Sequence, residues 1–252
     1  MRLRLLLGAC AALPLALWAA SATADPFAGP PICSSAGTAL AGHYGNLTIT
    51  GNAYVASDTS LVVSGTLRLE PGSCLDAFSL GRVNVGGNVL VGKGAVLALG
   101  CTPNALGDPT LPPCFSRTTS DTVDGSIVAS QPLTMYLDGD TIHGSVTSSG
   151  GGPGVDGPFT NFAIKDNRID GNLSVESWRG GWSGAVRNQV GGNVVWSRNM
   201  STQDPDSNEV QTNTIRGNLT CRDNSPAAQV NPADGGQPNT VGGQKIGQCS
   251  GL

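Results

Sequence analysis

Charged, aromatic and histidine residues are scarce in this chain. Of its 252 residues, 13% are Asp, Glu, Lys or Arg, 5% are aromatic, and two are histidines, His43 and His143. Neither histidine stands in a setting of serine and acid residues or of metal ligands, so we predict no catalytic triad, no metal site and no cofactor. The glycine-rich runs do not precede helical patterns, which argues against phosphate-binding loops.

Long apolar runs and long amphipathic helical patterns are missing after residue 24. No later segment is long and apolar enough to span a membrane. Residues 1–24 have the pattern of a secretory signal peptide, with early arginines, an apolar stretch from Leu5 to Trp18 and a small-residue cleavage site at 22–24. Its removal takes away two arginines and no acid, so the net charge falls from −4 to −6. That charge argues against nucleic acid as a partner, and we expect a secreted, extracellular protein.

Glycine, by contrast, is abundant, with 36 residues, and it marks a repeated phrase. The phrase is Asn-x-Ile/Val-x-Gly-Asn-Leu/Val-x-apolar, and its clearest copies begin at Asn167, Asn188 and Asn213. Alternating apolar and polar residues predict strands with one buried face. Spacings of 21 and 25 residues predict a solenoid. Weaker copies extend the repeat from Gly45 to Gly243, so we predict an all-β, single-stranded parallel β-helix of about nine coils. An antiparallel β-sandwich would explain the alternation but not the repeated wording.

Two features of the phrase have structural roles. Glycine suits a bend where stacked backbones approach closely. One column is always Asn or Asp, and we expect it to form a structural ladder at a corner, where stacked side chains satisfy polar groups. The ladder column consists of Asp121, Asp140, Asn167, Asn188, Asn213 and Asn239.

Six cysteines remain after residue 24. An even number in an exported chain favours three disulfides, although six cysteines allow fifteen pairings. The pairs suggested by sequence order are Cys33–Cys74, Cys101–Cys114 and Cys221–Cys249. Their spacings lack the CxxC pairs of zinc sites, so we expect disulfide-stapled ends and no metal.

The chain divides into four predicted segments. They are a signal peptide at 1–24, a Pro/Gly-rich lead-in at 25–40, the β-helix at 41–224 and a C-terminal capping tail at 225–252. A cap is expected because an open coil exposes strand edges and core. Within the β-helix, residues 101–120 are Pro-rich and are predicted to bulge from the stack.

Two groups of residues are candidates for chemistry. Trp178, Arg179 and Trp182 are crowded together, and we predict a carbohydrate-binding role for them because aromatic rings beside polar groups suit sugars. Stacked coils can also bring Asp138 and Asp166 together, as in glycoside hydrolysis or Ca²⁺ binding. Acids at turns are mostly solvated or bonded locally, so we assign no catalytic residue.

The Gly-Asn-Leu/Val phrase, the segment Gly217–Cys221 and the ending Val241–Leu252 resemble uncharacterised exported proteins of high-GC Gram-positive bacteria, that is, of the actinobacterial type. The coil pattern is also similar to bactofilin and pectate-lyase-like β-helices, which implies a right-handed coil. Bactofilins are cytoplasmic polymers without these cysteines and this leader, and the catalytic clusters of pectate lyases do not map here. A shared fold does not imply a shared function.

We therefore expect an exported, non-catalytic β-helix that acts as a cell-surface or cell-wall structural and binding module. Its expected partner is a polysaccharide or another cell-wall polymer, and we expect a monomer. The alternative is a secreted polysaccharide lyase or glycoside hydrolase that uses carboxylates on one face. A groove with converging acids and a basic residue would favour the enzyme, and a flat face covered by Asn, Ser and Thr would favour the module.

Overall fold

Three parallel sheets run along the molecule in the computed structural model, which describes residues 32–33, 37–103, 118–201 and 203–252. The chain passes through the three sheets in turn, and each circuit is one coil of a parallel β-solenoid. The described residues form nine such coils. The predicted fold class is therefore confirmed. The β-sandwich alternative is wrong, because the strands pair in parallel with those of the coils before and after.

Each sheet takes one strand from each coil that contributes to it. Sheet 1 consists of Thr38–Ala39, Asn52–Tyr54, Cys74–Ala77, Val96–Gly100, Thr134–Asp138, Asn161–Lys165, Trp182–Val186 and Glu209–Gln211. Sheet 2 consists of Gly42–Tyr44, Ser60–Val63, Arg82–Val85, Thr122–Val123, Thr141–Ile142, Arg168–Ile169, Gln189–Val190, Thr214–Ile215 and Thr240–Val241. Sheet 3 consists of Leu47–Ile49, Leu67–Leu69, Val89–Val91, Ile127–Ser130, Val146–Ser149, Leu173–Glu176, Val194–Ser197, Leu219–Arg222 and Lys245–Gly247. Two 3-10 helices follow late in the chain, at Pro232–Asp234 and Gln248–Gly251.

Columns of apolar side chains fill the interior. In sheet 2, for example, the inward residues pair in register from coil to coil, and all are at most 2% exposed. They are Ile142, Ile169, Val190 and Ile215. Full burial of one such side chain stabilises the fold by about 1.5–3 kcal/mol. One coil has too few of them to fold alone, whereas a stack shares a continuous core.

Three large rings widen the core in coils 6 and 7. The ring centroid of Phe162 lies 5.5 Å from that of Trp178 and 6.4 Å from that of Trp196. All three side chains are fully buried. Trp196 thus lies in the core, where its position in the alternation predicts it.

The glycine of the repeated phrase stands where neighbouring coils approach each other closely. A Cβ atom on Gly171 would lie 2.7 Å from the carbonyl oxygen of Gly144. One on Gly217 would lie 2.7 Å from the carbonyl oxygen of Gly192. A larger residue would push the coils apart, so the expected role of glycine is confirmed.

The Asn/Asp column forms a ladder between sheets 1 and 2, which we call the first-corner ladder. Asn188 illustrates the pattern: its Oδ1 accepts hydrogen bonds from the backbone N–H of Asn167 at 3.0 Å and from its Nδ2 at 3.0 Å. Its Nδ2 donates to the carbonyl oxygen of Ile164 at 2.8 Å and to Oδ1 of Asn213 at 3.0 Å. All six side chains of the column are at most 4% exposed. The ladder therefore satisfies backbone groups that the turn buries.

A second ladder, which the sequence analysis did not predict, lies between sheets 2 and 3. Here Oδ1 of Asn172 accepts from the backbone N–H of Asn193 at 2.7 Å, and Oδ1 of Asn193 accepts from that of Asn218 at 2.8 Å. The full second-corner ladder is Asn46, Asn88, Ser126, Ser145, Asn172, Asn193 and Asn218. Its asparagines are exposed. Its direction is reversed, because each side chain accepts from the coil that follows.

A third ladder joins sheet 3 to sheet 1. Oδ1 of Asn199 accepts from the backbone N–H of Trp178 at 3.0 Å, and Oδ1 of Asn224 accepts from that of Asn199 at 3.0 Å. Gln248 continues this third-corner ladder, since its Oε1 accepts from the backbone N–H of Asn224 at 3.0 Å. As at the first corner, each side chain accepts from the coil that precedes it.

The first and third corners share one backbone device. At five rungs a non-glycine residue with a left-handed backbone precedes the ladder amide, as with φ of 59° at Arg187 before Asn188 and 57° at Arg198 before Asn199. Such a φ costs a non-glycine residue about 1 kcal/mol or more. The buried hydrogen bonds of the following amide offset that cost.

Disulfides fasten both ends of the stack. Cys33 is bonded to Cys74 and Cys221 to Cys249, with Cα atoms 5.8 Å and 5.2 Å apart. These two predicted pairs are confirmed. Cys114 lies outside the described residues, so the Cys101–Cys114 pair stays a prediction. The proposed signal peptide at 1–24 and most of the lead-in at 25–40 lie outside them as well.

Most of the predicted bulge, residues 104–117 at the first corner of coil 4, lies outside the described residues, and the C-terminus carries more than a cap. The insertion separates Gly100 from Asp121, and the backbone N–H of Thr119 donates to the carbonyl oxygen of Cys101 at 3.0 Å across its base. At the other end, residues 225–252 include the two strands of coil 9. Asn239 continues the first-corner ladder there, which is why the chain coils once more instead of only covering the end.

Candidate functional site

The outer face of sheet 1 gathers polar and aromatic side chains in coils 5 to 7. Asp138 pairs in register with Lys165, and Lys165 pairs with Val186 in the next coil. Asn161 is likewise in register with Trp182. Because these residues project from a sheet fixed by neighbours on both sides, their relative positions are set by the stack.

Trp182 begins its strand and lies on the sheet surface. Its six-membered ring covers Gly184, since a Cβ atom at position 184 would lie 2.5 Å from Cη2 of the ring. Nζ of Lys165 lies 4.7 Å from the ring centroid, a cation–π contact. Trp182 and Lys165 are both half-buried. The ring is thus held between a glycine and a cation while part of it faces solvent.

A bidentate ion pair follows the ends of the same two strands. Arg187 donates from Nε to Oδ1 of Asp166 at 2.7 Å and from Nη2 to Oδ2 at 2.6 Å. Both residues follow directly after a strand of sheet 1 and have left-handed backbones with φ of 59°. The hydrogen bonds that Arg187 donates to Asp166 raise the pKa of Arg187. Burial, and next the charge of Arg187, lower the pKa of Lys165.

The structure brings Asp138 and Asp166 together, as the sequence analysis expects. Oγ1 of Thr102 lies 3.1 Å from Oδ1 of Asp138 and 3.5 Å from Oδ2 of Asp166. Asp138 is 2% exposed and also accepts from the backbone N–H of Thr102 at 2.7 Å. Burial, opposed by that N–H and assisted by the charge of Asp166, raises its pKa to about 7.

This geometry suits binding better than bond cleavage. Asp138 is covered by protein, and both oxygens of Asp166 are engaged by Arg187. A hydrolytic carboxylate must reach the substrate or the attacking water. The exposed parts of Trp182, Lys165 and Arg187 can instead offer an apolar surface and hydrogen-bond donors to a ligand.

Of the three residues predicted to bind sugar, two are accessible. Arg179 is exposed and Trp182 half-buried. Trp178, the third residue predicted to bind sugar, is fully buried, so its ring offers no surface to a ligand. Its Nε1 donates to the carbonyl oxygen of Leu133 at 3.1 Å. The alignment of Trp178 with Asn199 and Asn224 is the sequence signal that would have placed it in the third-corner column.

A separate polar group lies on the exposed face of sheet 2. Nδ1 of His143 lies 2.8 Å from Oδ2 of Asp170, and Nε of Arg168 donates to Oδ1 of the same carboxylate at 3.1 Å. The hydrogen bond with His143 is the main cause of the lowered pKa of Asp170. All three side chains are open to solvent, so this group is a surface ion-pair cluster.

Neither of these groups has the composition of a metal centre. Among the described residues, no three or more His, Cys, Asp or Glu side chains are arranged to hold a metal ion.

Fold and cross-links together define a class of protein. The chain is a parallel β-solenoid with two disulfides near its ends, and disulfides of this kind are typical of proteins from oxidising, extracellular locations. Comparisons with protein-family models, with curated proteins and with solved structures give no match.

Within the described residues, no helix has both the length and the apolar character needed to cross a membrane.

Proposed function

We propose that the protein is secreted and acts, without catalysis, as a cell-surface or cell-wall module that binds polysaccharide. The observation that carries this proposal is the Trp182 ring, held on sheet 1 over Gly184 and beside Lys165. Sugar rings present apolar C–H faces edged by hydroxyl groups. A fixed aromatic surface with hydrogen-bond donors at its border complements both.

The rigidity of the sheet supports this role. A ligand pays little to order residues that the stack already holds in place, so more of the contact energy is available for affinity. Arg179 precedes Trp182 by three residues and is exposed. We include it at the edge of the site, as a donor to hydroxyl or carboxylate groups of the polymer.

Secretion is supported by two independent features. The N-terminal residues have the pattern of a signal peptide, and two disulfides staple the fold. A disulfide-bonded solenoid would persist outside the cell, where thiols are not kept reduced.

Binding can be tested with the oxidised mature chain on a panel of plant and bacterial wall polysaccharides, measured by affinity electrophoresis and calorimetry. We expect Trp182→Ala to weaken binding at least about tenfold, because the loss of an aromatic anchor costs about 2 kcal/mol or more. Gly184→Ala should also weaken it by displacing the ring, since its Cβ would lie 2.5 Å from Cη2. Val128→Ala is the control, because Val128 is 44% exposed and belongs to sheet 3.

Retention of full affinity by Trp182→Ala, or no binding of the wild type to any polymer of the panel, would contradict this proposal. Equal losses in Trp182→Ala and Val128→Ala would mean that the tryptophan is not the platform.

The second candidate function is a polysaccharide lyase or glycoside hydrolase. One observation favours it: a buried carboxyl with a pKa of about 7, Asp138, shares the hydroxyl of Thr102 with a second carboxylate, Asp166. A carboxyl with a raised pKa beside a second carboxyl is a recurring arrangement for acid–base chemistry. Release of new sugar ends from the same panel, abolished by Asp166→Asn, would replace the binding module with this enzyme.

A further inference from the structure

Two consecutive rungs of the first-corner ladder carry acids where the next four carry amides. Asp121 and Asp140 occupy coils 4 and 5, and both are at most 1% exposed. The following rungs are Asn167, Asn188, Asn213 and Asn239. Two ionised acids in a fully buried column would lower the stability of the fold, because burial of a charge costs free energy.

The amide rungs show what this position provides. In each of them Nδ2 donates to a carbonyl oxygen of the preceding coil, over distances between 2.7 and 2.9 Å. The four acceptors are Leu137, Ile164, Ala185 and Val210. An ionised carboxylate has no proton to donate, whereas a protonated carboxyl has one. An interior amide rung such as Asn188 donates two hydrogen bonds, of which a protonated aspartic acid can supply one and an ionised aspartate none.

The acids also hold the backbone of their corner together. Asp121 accepts from the N–H of Val83 at 2.7 Å and of Gly100 at 3.0 Å. Asp140 accepts from the N–H of Asp121 at 3.2 Å and of Asp138 at 3.2 Å. The carboxyl of Asp138 then fixes Thr102. Three buried carboxyls thus form one hydrogen-bonded group across coils 3 to 5.

Few cations face this group. The charge of Arg82 lowers the pKa of Asp121, and the charge of Lys165 lowers that of Asp138. The charge of Asp166 has the opposite effect and raises the pKa of Asp138. Asp166 itself accepts hydrogen bonds from Arg187. The charges that act on Asp140 are those of Asp121 and Asp138.

Burial is the main reason why all three acids hold their protons tightly. It raises the pKa of Asp121 to about 7 and that of Asp138 to about 7. The pKa of Asp140 is raised well above its usual value by burial and next by the charge of Asp121.

We propose that Asp121, Asp138 and Asp140 form a proton-dependent joint, which is closed while these carboxyls are protonated and loosens as they ionise. In the closed state Asp121 and Asp140 take the place of ladder amides, and Asp138 lies beside them. In the ionised state they are neighbouring negative charges inside the protein, and the first corner of coils 4 and 5 opens locally. Coils 6 to 8, which carry amides, keep their ladder at every pH.

The direction of the pH effect follows from linkage. The folded-state pKa values lie above the unfolded value of 3.8, so the folded chain binds protons more tightly. The stabilisation is fully present below the unfolded pKa and is lost as pH rises through the folded values, near 7 for Asp121 and Asp138. Acidification from pH 8 to pH 5 should therefore stabilise this protein.

The joint is tested by thermal unfolding of the oxidised full-length mature chain between pH 5 and pH 8. We expect the unfolding equilibrium constant of the wild type to rise at least about tenfold over this range, because one unit between the two pKa values of a carboxyl is up to tenfold. Asp121→Asn with Asp140→Asn extends the amide ladder and should remove most of this dependence. Asp124→Asn changes an exposed acid of the same coil and should track the wild type.

Amide hydrogen exchange of the wild type gives a second measure, which needs no variant to fold. After correction for intrinsic rates, peptides covering 96–103 and 119–143 should lose protection between pH 5 and pH 8, while peptides covering 209–222 should not. A wild-type unfolding midpoint and exchange profile that do not change with pH would overturn the joint. So would a double variant that keeps the wild-type slope.

Discussion

At the scale of single residues, Asn188 and Asn193 show how burial decides the value of a ladder side chain. The two lie in the same coil and each accepts a backbone N–H of a neighbouring coil. Asn188 is 1% exposed, whereas Asn193 is exposed to water. Water can replace the hydrogen bonds of Asn193 and cannot reach those of Asn188.

We expect Asn188→Ala to lower the free energy of unfolding by about 3 kcal/mol, because it leaves the N–H of Asn167 and the carbonyl oxygen of Ile164 buried with one bond fewer. Asn193→Ala, its matched control, should cost about 1 kcal/mol or less. Urea unfolding of the oxidised chain measures both. Equal losses would show that burial does not distinguish the two ladders.

Trp178 marks the limit of prediction from residue patterns. Strand alternation ends after Glu176, because Ser177 turns the chain with a left-handed φ of 62°. The next side chain then points into the core instead of outward. The alternation of a strand does not predict this change of direction. Alignment of residues 177–178 with 198–199 and 223–224 does, because those pairs also combine a left-handed residue with a buried side chain.

At the scale of elements, the strands were easier to predict than the corners. The repeated phrase predicts the strands of sheets 2 and 3 because it contains both their apolar alternation and the glycine between them. The first-corner ladder follows from the first Asn of the phrase. The second-corner ladder uses the Asn after its Gly, but repetition alone does not show what an exposed side chain such as Asn193 bonds to. In the candidate site, Asp138 and Asp166 could be placed together by coil spacing. The contact of Lys165 with Trp182 depends on side-chain conformation, which spacing does not determine.

The C-terminal disulfide belongs to the same scale, because it joins coil 8 to the end of coil 9. Cys221 and Cys249 are separated by 28 residues, and loss of such a link costs about 3 kcal/mol by loop entropy. We expect Cys221→Ala with Cys249→Ala to release coil 9, so that peptides covering 240–252 exchange amide hydrogens much faster. Coils 5 to 7 should keep their protection.

The N-terminal pair provides the control for this experiment. Cys33→Ala with Cys74→Ala should leave exchange in 240–252 unchanged, since coil 3 is far from coil 9 along the stack. Uniform loss of protection in both variants would mean that the solenoid unfolds as one unit and that the disulfides do not act locally.

At the scale of the whole molecule, hydrogen bonding at the corners is unevenly distributed. Coils 7 and 8 combine amide rungs of all three ladders. At the first corner of coils 2 and 3, the positions in register with the ladder are occupied by Leu61 and Val83. Because each coil touches mainly its neighbours, stability in a solenoid varies along its length.

We therefore expect a gradient of protection along the rod at pH 5, where the joint is closed. Amides in peptides covering 188–222 should exchange more slowly than those in peptides covering 52–85. Exchange measured by mass spectrometry on the oxidised chain checks this order. Equal or reversed protection would show that corner ladders do not set local stability, and that apolar packing alone does.

The opposite directions of the ladders have a consequence for synthesis. At the first and third corners, a buried N–H of one coil donates to a side chain of the next coil, as the N–H of Asn167 does to Asn188. At the second corner the earlier coil already offers the acceptor, as Asn172 does for Asn193. During synthesis from the N-terminus, each new coil therefore finds acceptors already present at the second corner. At the first and third corners, it supplies the acceptors that the preceding coil lacks. We therefore expect assembly from the N-terminal coils onward, with each new coil completing the hydrogen bonds of the coil before it.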